Sequence, residues 1–142
     1  GKSVGREIRS SRVAENVSTV AKMAVVRHKM VELQQRAAQT GRIIMDGRDI
    51  GYVVLPNADV KIFLTASVEE RARRRFLENQ AHGKEETYEE ILESIIARDY
   101  KDSNRDLNPL RQASDAILLD TTNLTIDEVV MEIVRIIKER LN

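Results

Sequence analysis

Between residues 11 and 38 the chain has no glycine or proline, and Val13, Val17, Val20, Ala24 and Val31 recur at helical spacing. That pattern predicts one long helix, or two in tandem, with a single apolar stripe. Gly41 ends the periodicity, and a short apolar run over 43–45 leads into Asp46-Gly47-Arg48-Asp49, as a buried strand feeding a loop would. A second strand is predicted over 60–64. Ser67 and Glu70 then have capping-box spacing, which opens a helix over about 68–80. Gly83 breaks it. Tyr88, Ile91, Leu92, Ile95 and Ile96 predict a further amphipathic helix to about residue 104, closed by Asn108-Pro109. A third strand over 116–119 runs into Asp120-Thr121-Thr122, and Thr125 with Glu128 caps a last helix ending near Leu141.

Short apolar strands alternating with amphipathic helices predict an α/β fold, a parallel sheet covered by helices. Ligands of such sheets sit beyond the carboxyl ends of the strands. All three predicted strands end in polar sequence there: Asp46 to Asp49, Thr65-Ala66-Ser67 and Asp120-Thr121-Thr122.

Composition narrows the picture. With 142 residues and 42% apolar content the chain can bury a core, and one compact domain is the default. The 23 basic and 23 acidic residues cancel, so no overall field draws it to nucleic acid or an anionic membrane, and any anion site must be local. There is no cysteine for disulfides or thiolate metal sites. No apolar run approaches a membrane span, and the cytoplasm is the expected compartment.

Several residues could carry chemistry. Asp46, Arg48 and Asp49 follow the first strand around Gly47, either delivering a carboxylate to a magnesium and phosphate site or forming a surface turn. Arg71, Arg74 and Arg75 share one helix face. They make a phosphate clamp or a solvated face paired with Glu69, Glu70 and Glu78, and charge alone favours the latter. Arg98, Asp102 and Arg105 align if their helix persists, as an ion-pair ladder or as two arginines offered to a phosphate with the aspartate on sugar hydroxyls. Arg27 falls within the apolar stripe and needs a polar partner, a structural carboxylate or the edge of a bound base. His28 and His82 have no ligand spacing, and Tyr52, Phe63, Phe76, Tyr88 and Tyr100 are too scattered to stack bases.

These signals agree with one family. Ile8-Arg9-Ser10, Val13 and Val17-Ser18 come first, then Met45-Asp46-Gly47-Arg48-Asp49-Ile50-Gly51 and Val53-Val54-Leu55-Pro56. Ala66-Ser67-Val68-Glu69-Glu70-Arg71-Ala72, Ala97-Arg98-Asp99, Asp102, Asn104-Arg105, Pro109-Leu110 and Leu119-Asp120-Thr121-Thr122 follow in order. In these landmarks the chain resembles the bacterial-type cytidylate kinases, which phosphorylate CMP and dCMP with ATP and magnesium. The resemblance implies the P-loop nucleoside monophosphate kinase fold, with about 1–40 as a CMP-binding helical region and 41–142 as a core carrying lid helices near 68–105. It puts Ser18, Arg27 and Asp49 around the cytosine, and Arg98 and Asp102 at the ribose, with Arg98 also reaching phosphate. Arg48 and Arg105 would clamp the monophosphate. Arg74 and Arg75 would close over the ATP phosphates, and Asp46 would sit near Mg2+ through water. Nucleotides are the implied partners, rather than nucleic acid or membrane, and a monomer is the implied state.

Two departures bear on that expectation. The pattern G-x-x-x-x-G-K-[ST] of an ATP phosphate loop does not occur, and Gly1-Lys2-Ser3 imitates only its tail. The family's opening strand and loop are thus expected to lie outside a partial chain, which alone should show little or no ATP-dependent turnover. Ser18 and Arg27 would also point to opposite sides of one straight helix, so both can reach a base only if that helix bends or breaks. A non-catalytic nucleotide-binding module, a kinase of other base specificity such as UMP, and a structural protein with paired surface charges are the rivals.

Overall fold

The structure, a computed structural model, describes residue 5 and residues 7–9, 11–21, 23–39 and 41–141. Ser18 is described only as backbone, and Gly1-Lys2-Ser3 lies outside the described residues. The chain divides into two compact units, Gly1–Met45 and Asp46–Asn142, where bulk composition suggests one.

In the first unit a 3-10 turn at Glu7–Arg9 precedes α1 (Ser11–Ala21) and α2 (Ala24–Ala38). The long periodic stretch is thus two helices in tandem. Met23 takes an extended conformation, φ −67° and ψ 118°, and its carbonyl opens α2 by accepting from Arg27 N at 2.8 Å. The helix therefore breaks between Ser18 and Arg27, as joint contact with one base requires. The apolar stripe does not form a core among the described residues, for α2 has no buried residue and Val17 and Val20 stay about half exposed. A stripe is enclosed only when another element covers it.

The second unit opens with a π-turn at Ile50–Val54, followed by β1 (Ile62–Thr65), α3 (Val68–Ala81), α4 (Tyr88–Ser103), β2 (Ile117–Asp120) and α5 (Ile126–Leu141). β1 and β2 pair in parallel with Ile62 opposite Ile117 and Thr65 opposite Asp120. A parallel pair needs a crossover, and α3 and α4 supply it. Helices cover the sheet through Ala72, Ile91, Leu119 and Ile136, all buried. Ala72 has no exposed surface, so a larger side chain there would have to displace its neighbours. Phe76 and Tyr88 meet edge to face, 6.4 Å between ring centres, joining α3 to α4.

The expected strand over 43–45 does not form among the described residues. A strand exists by its ladder, and this run has no partner; Ile44 is 93% exposed. The sheet has two described strands where three were expected. Its other boundaries fall one or two residues from the predicted ones. The caps hold locally. Thr125 and Glu128 satisfy each other's backbone N–H, at 3.3 and 2.8 Å. Thr87 and Glu90 do the same for α4, an arrangement the periodicity did not reveal. Ser67 accepts from Glu70 N at 3.2 Å, but the Glu70 carboxylate turns to arginines and leaves that box half made.

Candidate functional site

At the carboxyl end of α4 one carboxylate gathers three arginines from separate segments. Asp102 accepts a hydrogen bond from Arg48 Nε, fifty-four residues earlier. Arg98 Nε, one helical turn back, lies 3.9 Å from Asp102 Oδ2, and Arg105 Nη2 lies 3.9 Å from Oδ1. The last two contacts are charge proximity, too long for hydrogen bonds. α4 ends at Ser103 with Asn104 as its cap, so Arg105 reaches Asp102 from the turn beyond the helix, not from the helical register that the spacing assumed.

Burial makes this cluster unusual. The side chains of Asp102 and Arg105 are 14% and 15% exposed, and Arg98, at 66%, reaches toward solvent. Nε and Nη2 of Arg105 are buried and have no hydrogen-bond partner among the described residues. Desolvating guanidinium donors without pairing them is costly, and an oxyanion would remove the cost. Three guanidinium groups on one carboxylate leave two positive charges in surplus, close to the charge of a phosphate monoester at neutral pH.

The loop that delivers Arg48 is built for a tight turn. Gly47 has φ 158°, and a Cβ there would lie 2.9 Å from the Ile50 side chain. Asp49 beside it is 5% exposed, and its carbonyl accepts from Val53 N at 2.9 Å to start the π-turn. Asp46 is exposed. Arg27 belongs to the first unit and is partly buried.

The arginines of α3 are differently engaged. Arg74 donates to Glu70 Oε1 at 2.7 Å, to the Thr121 carbonyl at 2.6 Å and its hydroxyl at 3.2 Å, and to the Leu124 carbonyl at 3.3 Å. It ties α3 to the segment after β2. Arg73 grips Glu70 with two hydrogen bonds of 2.7 and 2.8 Å, and Arg75 pairs with Glu78 at 3.3 Å. Hydrogen bonds from Arg73 first and Arg74 next hold the Glu70 carboxyl down at about 2, against burial, which raises it. Arg71, expected on the same face, bridges to Asp99 of α4 at 2.8 Å and to the Ala66 carbonyl at 3.0 Å. Among the described residues no hydrogen bond or ion pair joins Arg74 or Arg75 to the Asp102 cluster.

At the end of β2, Asp120 accepts from the Thr122 hydroxyl at 2.5 Å and backbone N at 2.9 Å, which lowers its carboxyl from the ordinary value. Sequence reasoning noted this stretch as a polar strand end and missed that Thr121 anchors Arg74. Among the described residues no group of three or more acidic or histidine side chains could hold a metal ion. His28 is exposed, and His82 Nδ1 meets the Glu78 carbonyl at 2.7 Å where α3 ends, so both lie at the surface as their surroundings suggested. No described helix is long and apolar enough to cross a membrane.

Comparison with known proteins shows the family. The cytidylate kinase family profile matches residues 1–139. Cytidylate kinase of Lactobacillus johnsonii is 54% identical over 140 residues, covering 99% of this chain and 61% of that protein. Those of Limosilactobacillus reuteri and Enterococcus faecalis are 57% and 55% identical, covering 98% and 99% of this chain. The chain thus spans about three fifths of the length of these relatives, 61% and 62%. With the profile running over nearly every residue and relatives above 50% identity covering almost the whole chain, the chain belongs to the cytidylate kinase family.

Proposed function

We propose that the whole protein transfers the terminal phosphoryl group of ATP to CMP and dCMP, forming CDP and dCDP in pyrimidine nucleotide metabolism in the cytoplasm. The observation that carries the reading is Arg105, whose buried and unpaired donors stand beside Asp102 with Arg48 and Arg98 around the same carboxylate. Arg48 and Arg105 hold the monophosphate. Arg98 and Asp102 meet the ribose, and Arg98 extends to the phosphate. Planar guanidinium donors match phosphate oxygens and offset charge that spreads over the transferred group, so catalysis is positioning and electrostatic stabilisation without a covalent intermediate.

Base choice falls to Asp49. A carboxylate accepts from the exocyclic amine of cytosine, whereas uracil presents a carbonyl there and cannot donate. Arg74 and Arg75 face the ATP phosphates. Magnesium in such enzymes is held by one or two carboxylates with substrate phosphates and water, so the exposed Asp46 fits as its contact without a larger acidic cluster. The ion would neutralise phosphate charge during transfer.

For these 142 residues alone a second reading is favoured by one observation: the ATP phosphate-loop pattern does not occur in them. The chain by itself binds CMP and turns over little. Calorimetric titration with CMP and UMP tests base choice. CMP should bind more tightly, and Asp49→Asn should narrow the gap; equal affinities in the unsubstituted chain would remove the pyrimidine assignment and favour another acceptor.

A further inference from the structure

The Tyr52 ring lies under the Arg111 guanidinium, 4.5 Å from its carbon to the ring centre, and the Tyr52 hydroxyl donates to the Pro109 carbonyl. Neither residue carries a role so far. The two contacts close a circuit through the phosphate clamp. Tyr52 sits in the π-turn that Asp49 starts, four residues after Arg48. Pro109 and Leu110 follow Arg105, and Leu110 N donates back to the Asp102 carbonyl at 2.7 Å. Asp102 in turn accepts from Arg48. Two segments more than fifty residues apart are thus joined twice, once by the charged pair at the site and once by the tyrosine behind it.

We propose that Tyr52, braced by Arg111, is a positioning residue that sets the separation of Arg48 from Arg105 and so the width of the clamp. The proposal rests on the nucleotide reading given above. Its physical basis is that the charged pair cannot hold the two loops by itself. A phosphate on Arg48 competes with Asp102 for the same guanidinium and weakens that link in the bound state. A second link that the ligand does not touch keeps the loops at the separation that both arginines need. Asn108, with φ 54°, makes the backward turn that presents the Pro109 carbonyl to the hydroxyl. Arg111 covers the ring face and limits its swing.

The test compares CMP with cytidine by calorimetric titration of the whole chain and of Tyr52→Phe, which keeps the ring under Arg111 and deletes only the hydroxyl. CMP affinity should fall about fivefold, the worth of one ordinary hydrogen bond. Cytidine affinity should hold, because the base and ribose contacts do not depend on clamp width. Arg111→Gln should act in the same direction, by about two- to threefold. Hydrogen exchange at the Leu110 amide should quicken in Tyr52→Phe. An unchanged ratio of CMP to cytidine affinity, a parallel fall in both, or unaltered Leu110 exchange would overturn the brace and leave the nucleotide site standing. An unsubstituted chain that binds no CMP would overturn the nucleotide reading and the brace with it.

Discussion

Two groups of arginines occupy the second unit, and they are engaged in different ways. On α3, Arg73, Arg74 and Arg75 each meet an acid within four residues on their own helix. At Asp102, Arg48, Arg98 and Arg105 come from a loop, a helix and the turn after it, and share one carboxylate. Local pairs of the first kind contribute little and are screened by salt. A cluster of the second kind carries surplus charge into a partly buried place, a cost that a bound anion offsets. Contacts between distant segments and the buried donors of Arg105, more than helical spacing, set the Asp102 cluster apart from the locally paired arginines of α3.

Replacing Arg105 by Met breaks the comparison hardest. The change removes buried donors that lack partners, so the ligand-free chain should melt at the same temperature or higher. CMP affinity should fall roughly 10- to 100-fold, from the loss of charge-assisted hydrogen bonds. Thermal melting and CMP titration on the same sample decide it. A large loss of stability with CMP affinity intact would make Arg105 a structural residue and remove it from the monophosphate site.

Arg74→Ala should give the opposite result. Its guanidinium joins α3 to the Thr121 and Leu124 carbonyls, of which Thr121 keeps Leu124 N as a donor at 3.1 Å. Unfolding by denaturant should show a cost of about 1–2 kcal/mol for the lost link. CMP affinity should stay within twofold. If CMP binding collapsed in a chain that still folds, the division between the two arginine groups would fail.

What sequence could show follows from how far apart the interacting residues are. Helices α3, α4 and α5 and their caps were readable because capping and amphipathic stripes act over a few residues. Arg98 with Asp102 was legible for the same reason. That Arg48 joins them was not, since the contact spans fifty-four residues and no spacing rule covers it; the family resemblance supplied it. The strand over 43–45 was misread because an apolar run signals burial, and a ladder also needs a neighbour. Tyr52 was passed over as packing, because cation–π contact with Arg111 and a bond to a backbone carbonyl leave no sequence pattern. Glu70 was counted as half of a capping box, although two arginines one turn away compete for the same carboxylate and win it.

That competition yields the smallest effect and the finest test of the contrast. The Glu70 carboxyl titrates at about 2 in the folded chain against an ordinary 4.5, so the unfolded chain binds more protons between those values. Its stabilisation is therefore complete above about pH 4.5 and is lost as pH falls toward 2. Glu90, Asp115, Asp120, Glu128 and Glu132 are lowered too and act with the same sign, so Glu70→Gln should shrink the acid loss of stability without abolishing it. Melting temperatures at pH 7 and pH 3 measure it: the drop between them should be smaller in the variant. An identical drop in both proteins would mean that Arg73 and Arg74 do not hold this carboxylate in solution, and the local pairing that sets α3 apart from the Asp102 cluster would lose its basis.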